Sequence, residues 1–162
     1  MGKINLKKQL SIVIPVFNFS KFLPSTLDSI FDQNYAKEIE VLIYDGASID
    51  DTYQVVKPYL IKFQNLRYVR QICRGGIDLD LAKCIELVNT SYCWLFSGDD
   101  LMHINSIKKV LSYLEKWNPD LLLLRHNECD IEMNFIKEWE VLSIYKDKFF
   151  DLSKIQSRRE YF

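Results

Sequence analysis

Apolar residues fall along this chain in two patterns that take turns. Short unbroken runs are the first: Leu10–Val16, Glu40–Tyr44 and Tyr92–Phe96, each closed by Pro, Gly, Asn or Asp. Runs this short, bounded by turn residues, read as strands buried on both faces. The second pattern is helical spacing. After a Ser20 N-cap, Phe22, Leu23, Leu27, Ile30 and Phe31 recur on one face, with Pro24 in the first turn, where proline is tolerated. Behind Asp50 or Asp51 as cap come Tyr53, Val56, Tyr59, Leu60 and Phe63, and Pro58 predicts a kink or a restart. The turn Arg74-Gly75-Gly76 leads into Leu79, Leu81, Ile85 and Val88. A fourth helix carries Ile104, Ile107, Val110, Leu111 and Leu114 and stops at Asn118-Pro119. Leu66–Ile72 alternates weakly and suits a third strand. Asp120–Arg125 reads as a fifth strand, and Phe135–Leu142 as a further one behind a turn at Asp130–Asn134.

Strand and helix alternate four times with short connections. That predicts an α/β fold, a Rossmann-like, mostly parallel sheet with helices on both faces, followed by an antiparallel hairpin. No repeat or linker interrupts it, so one domain is expected over residues 1–162, with 143–162 as a charged peripheral tail. Composition changes this picture little. A chain of 162 residues can bury a core, and a net charge of −1 gives no electrostatic reason to bind nucleic acid. The apolar runs are too short to span a bilayer, and no signal-peptide core follows the basic start, so a cytoplasmic protein is expected. Cys73, Cys84, Cys93 and Cys129 lack paired spacing and are expected to be small buried hydrophobes rather than zinc ligands.

In open α/β sheets the ligand lies at the carboxyl ends of the strands. There the chain places Pro15, Phe17 and Asn18, then Asp45, Gly46 and Ser48, then Arg74, Gly75 and Gly76, then Ser97, Gly98, Asp99 and Asp100. Adjacent carboxylates can hold a divalent cation through oxygen, with waters and phosphates completing the shell. They can equally cap the helix that follows. Arg74 can take phosphate charge, and Asp45 can accept hydrogen bonds from a base or a ribose. No G-x-G-x-x-G, no G-x-x-x-x-G-K-S/T and no G-x-S-x-G occurs, which argues against a dinucleotide fold, a P-loop and an α/β-hydrolase.

Four blocks then resemble family 2 glycosyltransferases of the GT-A fold, over about residues 9 to 128. They are Leu10-Ser-Ile-Val-Ile-Pro-Val-Phe-Asn18, Tyr44-Asp-Gly-Ala-Ser-Ile-Asp-Asp-Thr52, Gly75-Gly-Ile-Asp-Leu-Asp-Leu-Ala-Lys83 and Tyr92-Cys-Trp-Leu-Phe-Ser-Gly-Asp-Asp100. The third and fourth blocks are most similar to bacterial enzymes that build O-antigen or capsule units, of the abequosyltransferase type. The resemblance implies transfer of a sugar, with inversion, from a nucleotide-diphosphate sugar to a saccharide or polyprenyl-linked acceptor, with peripheral contact at the inner membrane face. It implies that Pro15, Phe17 and Asn18 line the nucleotide pocket and that Asp45 contacts the base. Arg74 and Asp80 would lie near the diphosphate or ribose, and Asp99, with Asp100 beside it, would hold Mg²⁺ or Mn²⁺. Ser97 stands where the family has the first acid of its metal motif, and Leu81 and Ala82 replace its usual Arg-Asn pair. The family's general base lies well beyond the metal motif, so the chain is expected to be the donor-binding half of a longer enzyme. The alternative is a catalytically incomplete domain that binds nucleotide or a partner without turnover.

Overall fold

A computed structural model of the chain describes residues 8–139, 146–151 and 153–155. The chain gathers into two units, Met1–Asn118 and Pro119–Phe162. The first alternates β1 (Leu10–Val16), α1 (Leu23–Phe31), β2 (Glu40–Asp45), α2 (Thr52–Lys62), β3 (Leu66–Arg70), α3 (Ile77–Leu87), β4 (Tyr92–Leu95) and α4 (Ser106–Trp117), with a 3₁₀ turn at Ala36–Glu38. Its strands form one parallel sheet in the order β3-β2-β1-β4. The chain steps outward from β1 to β3 and then crosses to the far side of β1. That reversal opens a crevice at the carboxyl ends of β1 and β4, where α/β sheets bind their ligands. No helix among the described residues is long and apolar enough to cross a membrane.

Strand β1 is the axis, because it pairs with β2 on one side and β4 on the other, where the chain order reverses. Alternate residues of a strand point to opposite faces. On one face Val13, Leu42 and Tyr44 pack with Cys84 of α3, flanked by Val69, Leu87, Val88 and Cys93. The residues of opposite parity, Ile12, Ile14, Val41 and Ile43, are equally buried, as a sheet covered on both faces requires. Helix α1 buries Leu23, Leu27, Ile30 and Phe31 as the spacing predicts, and α4 buries Ile107, Val110 and Leu114. Asn118 closes α4 in the left-handed conformation, an asparagine form of C-terminal cap.

Several expectations need correction. Helix α3 turns Asp80 and Cys84 inward and leaves Leu79 and Ile85 more than half exposed. The inward face therefore runs through 80, 84, 87 and 88, and a carboxylate takes the place expected for leucine. Asp120–Arg125 is not a strand. The leucines there have no ladder partner among the described residues, and backbone groups without a partner strand make no sheet. The second unit instead pairs β5 (His126–Cys129) with β6 (Phe135–Trp139) as an antiparallel hairpin around the Asp130–Asn134 turn. Residues 140–142 of the predicted last strand lie outside the described residues. Helix α2 spans Pro58 as one element and does not restart after it. Phe22, not Ser20, sits at the N-cap of α1, and Cys73 is exposed while Cys84 is buried.

Candidate functional site

The loop after β4 carries the acids. Gly98 is buried in it, and a Cβ there would lie 2.8 Å from the Phe19 ring and 2.9 Å from a Val16 methyl. Only glycine lets this loop close on the end of β1. Helix α1 then ties the loop down by its backbone. Thr26 Oγ1 donates to the Gly98 carbonyl at 2.9 Å, and the Met102 amide donates to Ser29 Oγ at 2.9 Å. Beyond the helix end, Gln33 Oε1 accepts the Ile107 amide at 3.3 Å. Asp99 and Asp100 are left exposed on the rim. Ser97 Oγ donates to Asp99 Oδ1, so the serine that stands in the first-acid position orients the acid that remains.

Asp45 closes β2 and is 1% exposed. Its Oδ1 accepts the Ser48 amide at 2.7 Å, and its Oδ2 accepts the Tyr68 hydroxyl. Arg70 Nε stands 3.6 Å from Oδ2, and its Nη2 donates to the Ser48 carbonyl at 2.5 Å. Burial, then the hydrogen bond and charge of Asp45, push the Tyr68 hydroxyl well above its ordinary range, which keeps the proton on the tyrosine.

Asp80 enters the same region from α3. A Cβ on Gly46 would lie 2.6 Å from Asp80 Oδ2, and one on Gly75 would lie 3.3 Å from Oδ1. Gln71 Nε2 donates to Asp80 Oδ1 at 2.7 Å. Burial raises the Asp80 carboxyl and the charge of Asp45 adds to it, while Gln71 and Arg74 oppose. The exposed Arg74 guanidinium lies 4.1 Å from the centre of the Phe17 ring, a cation–π contact. Pro15 is half-buried within β1 opposite Tyr44. The fold thus brings Phe17, Arg74, Asp45 and Asp80 to one stretch of the sheet edge, with the Asp99 loop closed onto the end of β1 beside them.

The loops after β1 and β2 also clasp each other. Asn18, at φ 61°, donates its amide to Ser48 Oγ at 2.9 Å and accepts the Ile49 amide on its Oδ1 at 2.9 Å. The Phe19 amide donates to Thr52 Oγ1 at 3.1 Å, and the Ser20 amide to Asp50 Oδ2 at 3.0 Å. Burial works against charge on Asp50, but hydrogen bonds from Thr52 and Ser20 outweigh it and bring its carboxyl down from 3.8 to about 2. A carboxyl with a depressed folded pKa stabilises the fold above its unfolded pKa and loses that contribution as pH falls through the folded one. We expect acid titration of the unfolding midpoint to show a loss between about pH 4 and about pH 2 that Asp50→Asn flattens. An unchanged acid limb in that variant would remove Asp50 from the account.

In the hairpin unit the acids are engaged locally. Asp130 Oδ1 accepts the Glu132 and Asn134 amides at 3.0 and 2.8 Å, Glu128 pairs with Lys137 at 3.1 Å, and Glu138 pairs with Arg125 at 3.0 Å. Among the described residues no three His, Cys, Asp or Glu side chains gather into a ready metal cage. Asp99 and Asp100 still suit Mg²⁺ or Mn²⁺, hard ions that take one or two carboxylates and complete the shell with waters and phosphate oxygens.

Tyr68, Arg70, Gln71, Thr26, Ser29 and Gln33 escaped the sequence reading. One signal was present: Tyr68 and Arg70 are two apart on a strand, so they share a face. The α1 residues gave none, because short polar side chains on a helix ordinarily meet water.

The family model described as "Glycosyl transferase family 2" matches residues 11–158. The abequosyltransferase RfbV of Salmonella typhimurium is 29% identical over 126 residues, 75% of this chain and 38% of that protein. Crystalline S. aureus TarS 1-349 in complex with UDP-GlcNAc superposes with a TM-score of 0.65 at 24% identity, covering 69% of this chain and 32% of that one. The mannosyltransferase PcManGT of Pyrobaculum calidifontis, in complex with GDP-Man and Mn²⁺, superposes at 0.62 and 20% identity, covering 70% and 34%. The chain therefore spans well under half the length of these relatives, and it shares their GT-A fold.

Proposed function

The chain belongs to glycosyl transferase family 2, and from that premise we propose that it serves sugar transfer, with inversion, from a nucleotide-diphosphate sugar to a saccharide or polyprenyl-linked acceptor in cell-surface polysaccharide synthesis. The observation that carries the reading is the rim itself. Two exposed acids stand on a loop closed against the end of β1, with Asp45, Asp80, Arg74 and Phe17 gathered along the same edge. The nucleotide-sugars and the Mn²⁺ in the two neighbouring structures support it.

In this reading Pro15, Phe17 and Asn18 line the nucleotide pocket and Asp45 faces the base. Arg74 and Asp80 lie by the diphosphate or ribose. Asp99 and Asp100 would hold Mg²⁺ or Mn²⁺, which when bound offsets the charge of the leaving nucleoside diphosphate. The acceptor hydroxyl attacks the anomeric carbon from the face opposite the diphosphate, its proton passes to a carboxylate base, and the carbon–oxygen bond to the diphosphate breaks. The setting would be cytoplasmic, with peripheral contact at the inner face of the membrane. A domain that binds nucleotide without turnover is the second reading. On its side is Ser97, which stands where the family's metal motif has its first acid.

A thermal-shift screen of nucleoside diphosphates with and without Mn²⁺ tests the proposal, because a ligand that binds only the folded state raises its melting point. At least one nucleoside diphosphate is expected to stabilise the chain, and more strongly with Mn²⁺. A flat screen would sink both readings, and transfer to a matched saccharide acceptor would separate them.

A further inference from the structure

The edge strand β3 brings two polar side chains to the carboxylate at the end of β2. The parallel register sets Arg70 beside Asp45, and Tyr68 lies two residues earlier on the same face. The Tyr68 ring is braced by Tyr53, centroids 5.3 Å apart. Its hydroxyl reaches Asp45 Oδ2 while the Ser48 amide holds Oδ1. The terminal torsion of an aspartate is broad and roughly two-fold, so a carboxylate held at one oxygen alone can still swing. Donors on both oxygens, from two different loops or strands, leave it one orientation.

We propose that Tyr68, backed by Arg70, is a positioning residue that fixes the Asp45 carboxylate at the end of β2 and thereby sets how sharply the site discriminates between nucleobases. This rests on the reading above in which Asp45 faces the base. The chemistry is that of any site built on buried polar groups. Bases differ in where their edges donate and accept, and an acceptor held still rejects an edge that cannot satisfy it, whereas a swinging one adapts. The diphosphate end of the ligand would not sense the change, because it meets Arg74 and the Asp99 loop instead.

The test is calorimetric titration of the full chain and of Tyr68→Phe, in Mn²⁺, with the four common nucleoside diphosphates and with inorganic diphosphate. The Phe variant keeps the ring and loses only the hydroxyl. Its expected signature is a loss of about tenfold in affinity for the preferred nucleoside diphosphate, a narrowed ratio between best and worst base, and unchanged affinity for inorganic diphosphate. Arg70→Gln, at a side chain half exposed to solvent, is expected to narrow the ratio in the same direction by less and covers the case in which Tyr68→Phe does not fold. Wild-type affinities and ratios in both variants would overturn the proposal. So would a fall for inorganic diphosphate in step with the nucleotides, which marks general damage. A wild-type chain that binds no nucleoside diphosphate would overturn the parent reading, and that result is distinct from the other two.

Discussion

Asp99→Asn is expected to abolish the Mn²⁺-dependent part of nucleoside diphosphate binding. A ligand present at about a hundred times its dissociation constant stabilises a protein by roughly 2.7 kcal/mol, which for a chain of this size raises the melting point by about 5–10 °C. In the variant we expect less than about 1 °C of added shift from Mn²⁺, since a neutral amide is a poor partner for a hard divalent ion. The unliganded variant should melt within about 1 °C of wild type, because surface substitutions are usually near neutral. Asp99 is exposed and accepts a hydrogen bond from Ser97 that an Asn oxygen can also accept. Loss of binding without loss of stability is the informative pair. An undiminished Mn²⁺ response would move the metal elsewhere and leave Asp99 and Asp100 as loop acids.

Ile14→Ala should be among the most damaging single changes to the fold. Ile14 is fully buried on β1, one of the two interior strands of the sheet, and sits opposite Ile43 in the ladder. Truncation loses the transfer energy of three carbons and leaves a cavity that a sheet bonded on both sides cannot collapse to fill, a cost of about 2–5 kcal/mol. Ile14→Val should cost about 0.5–1.5 kcal/mol, so the pair gives a graded series in urea denaturation. The slope of each transition should match wild type. A full-sized loss from Val, or none from Ala, would show that β1 is not the rigid axis of the sheet.

Much of the scaffold was legible because burial on both faces writes itself as continuous apolar runs. Leu10 to Val16 and Glu40 to Tyr44 read as buried strands, and parallel strands with helical crossovers follow from their spacing. The candidate site was legible by position, since Asp45 ends a strand and Arg74 and Asp99 each follow one. What failed did so where a polar group beat an apolar one for an inward place. Asp80 faces in because Gln71 and the bare backbone at Gly46 and Gly75 accommodate it, and this turned α3 so that Leu79 and Ile85 face out. Leu121–Leu124 misled in the opposite way, with apolar content enough for a strand and no ladder partner among the described residues. The hydrogen bonds that hold the site, donated by Tyr68 and Thr26 and accepted by Ser29, join residues distant in sequence, and one-dimensional pattern carries no trace of them.

The anchoring of the acid loop has a consequence for how this chain can change over generations. Both ties from α1 end on loop backbone, the Gly98 carbonyl and the Met102 amide, and Gln33 beyond the helix takes the Ile107 amide past the loop. Apart from Gly98, which no other residue can replace without striking Phe19 and Val16, none of these ties depends on which side chain the loop carries. The path of the loop and the chemistry it displays are inherited separately. A lineage can exchange an acid for a serine at position 97, or shift the charge among its neighbours, and still present the new set at the same place on the sheet.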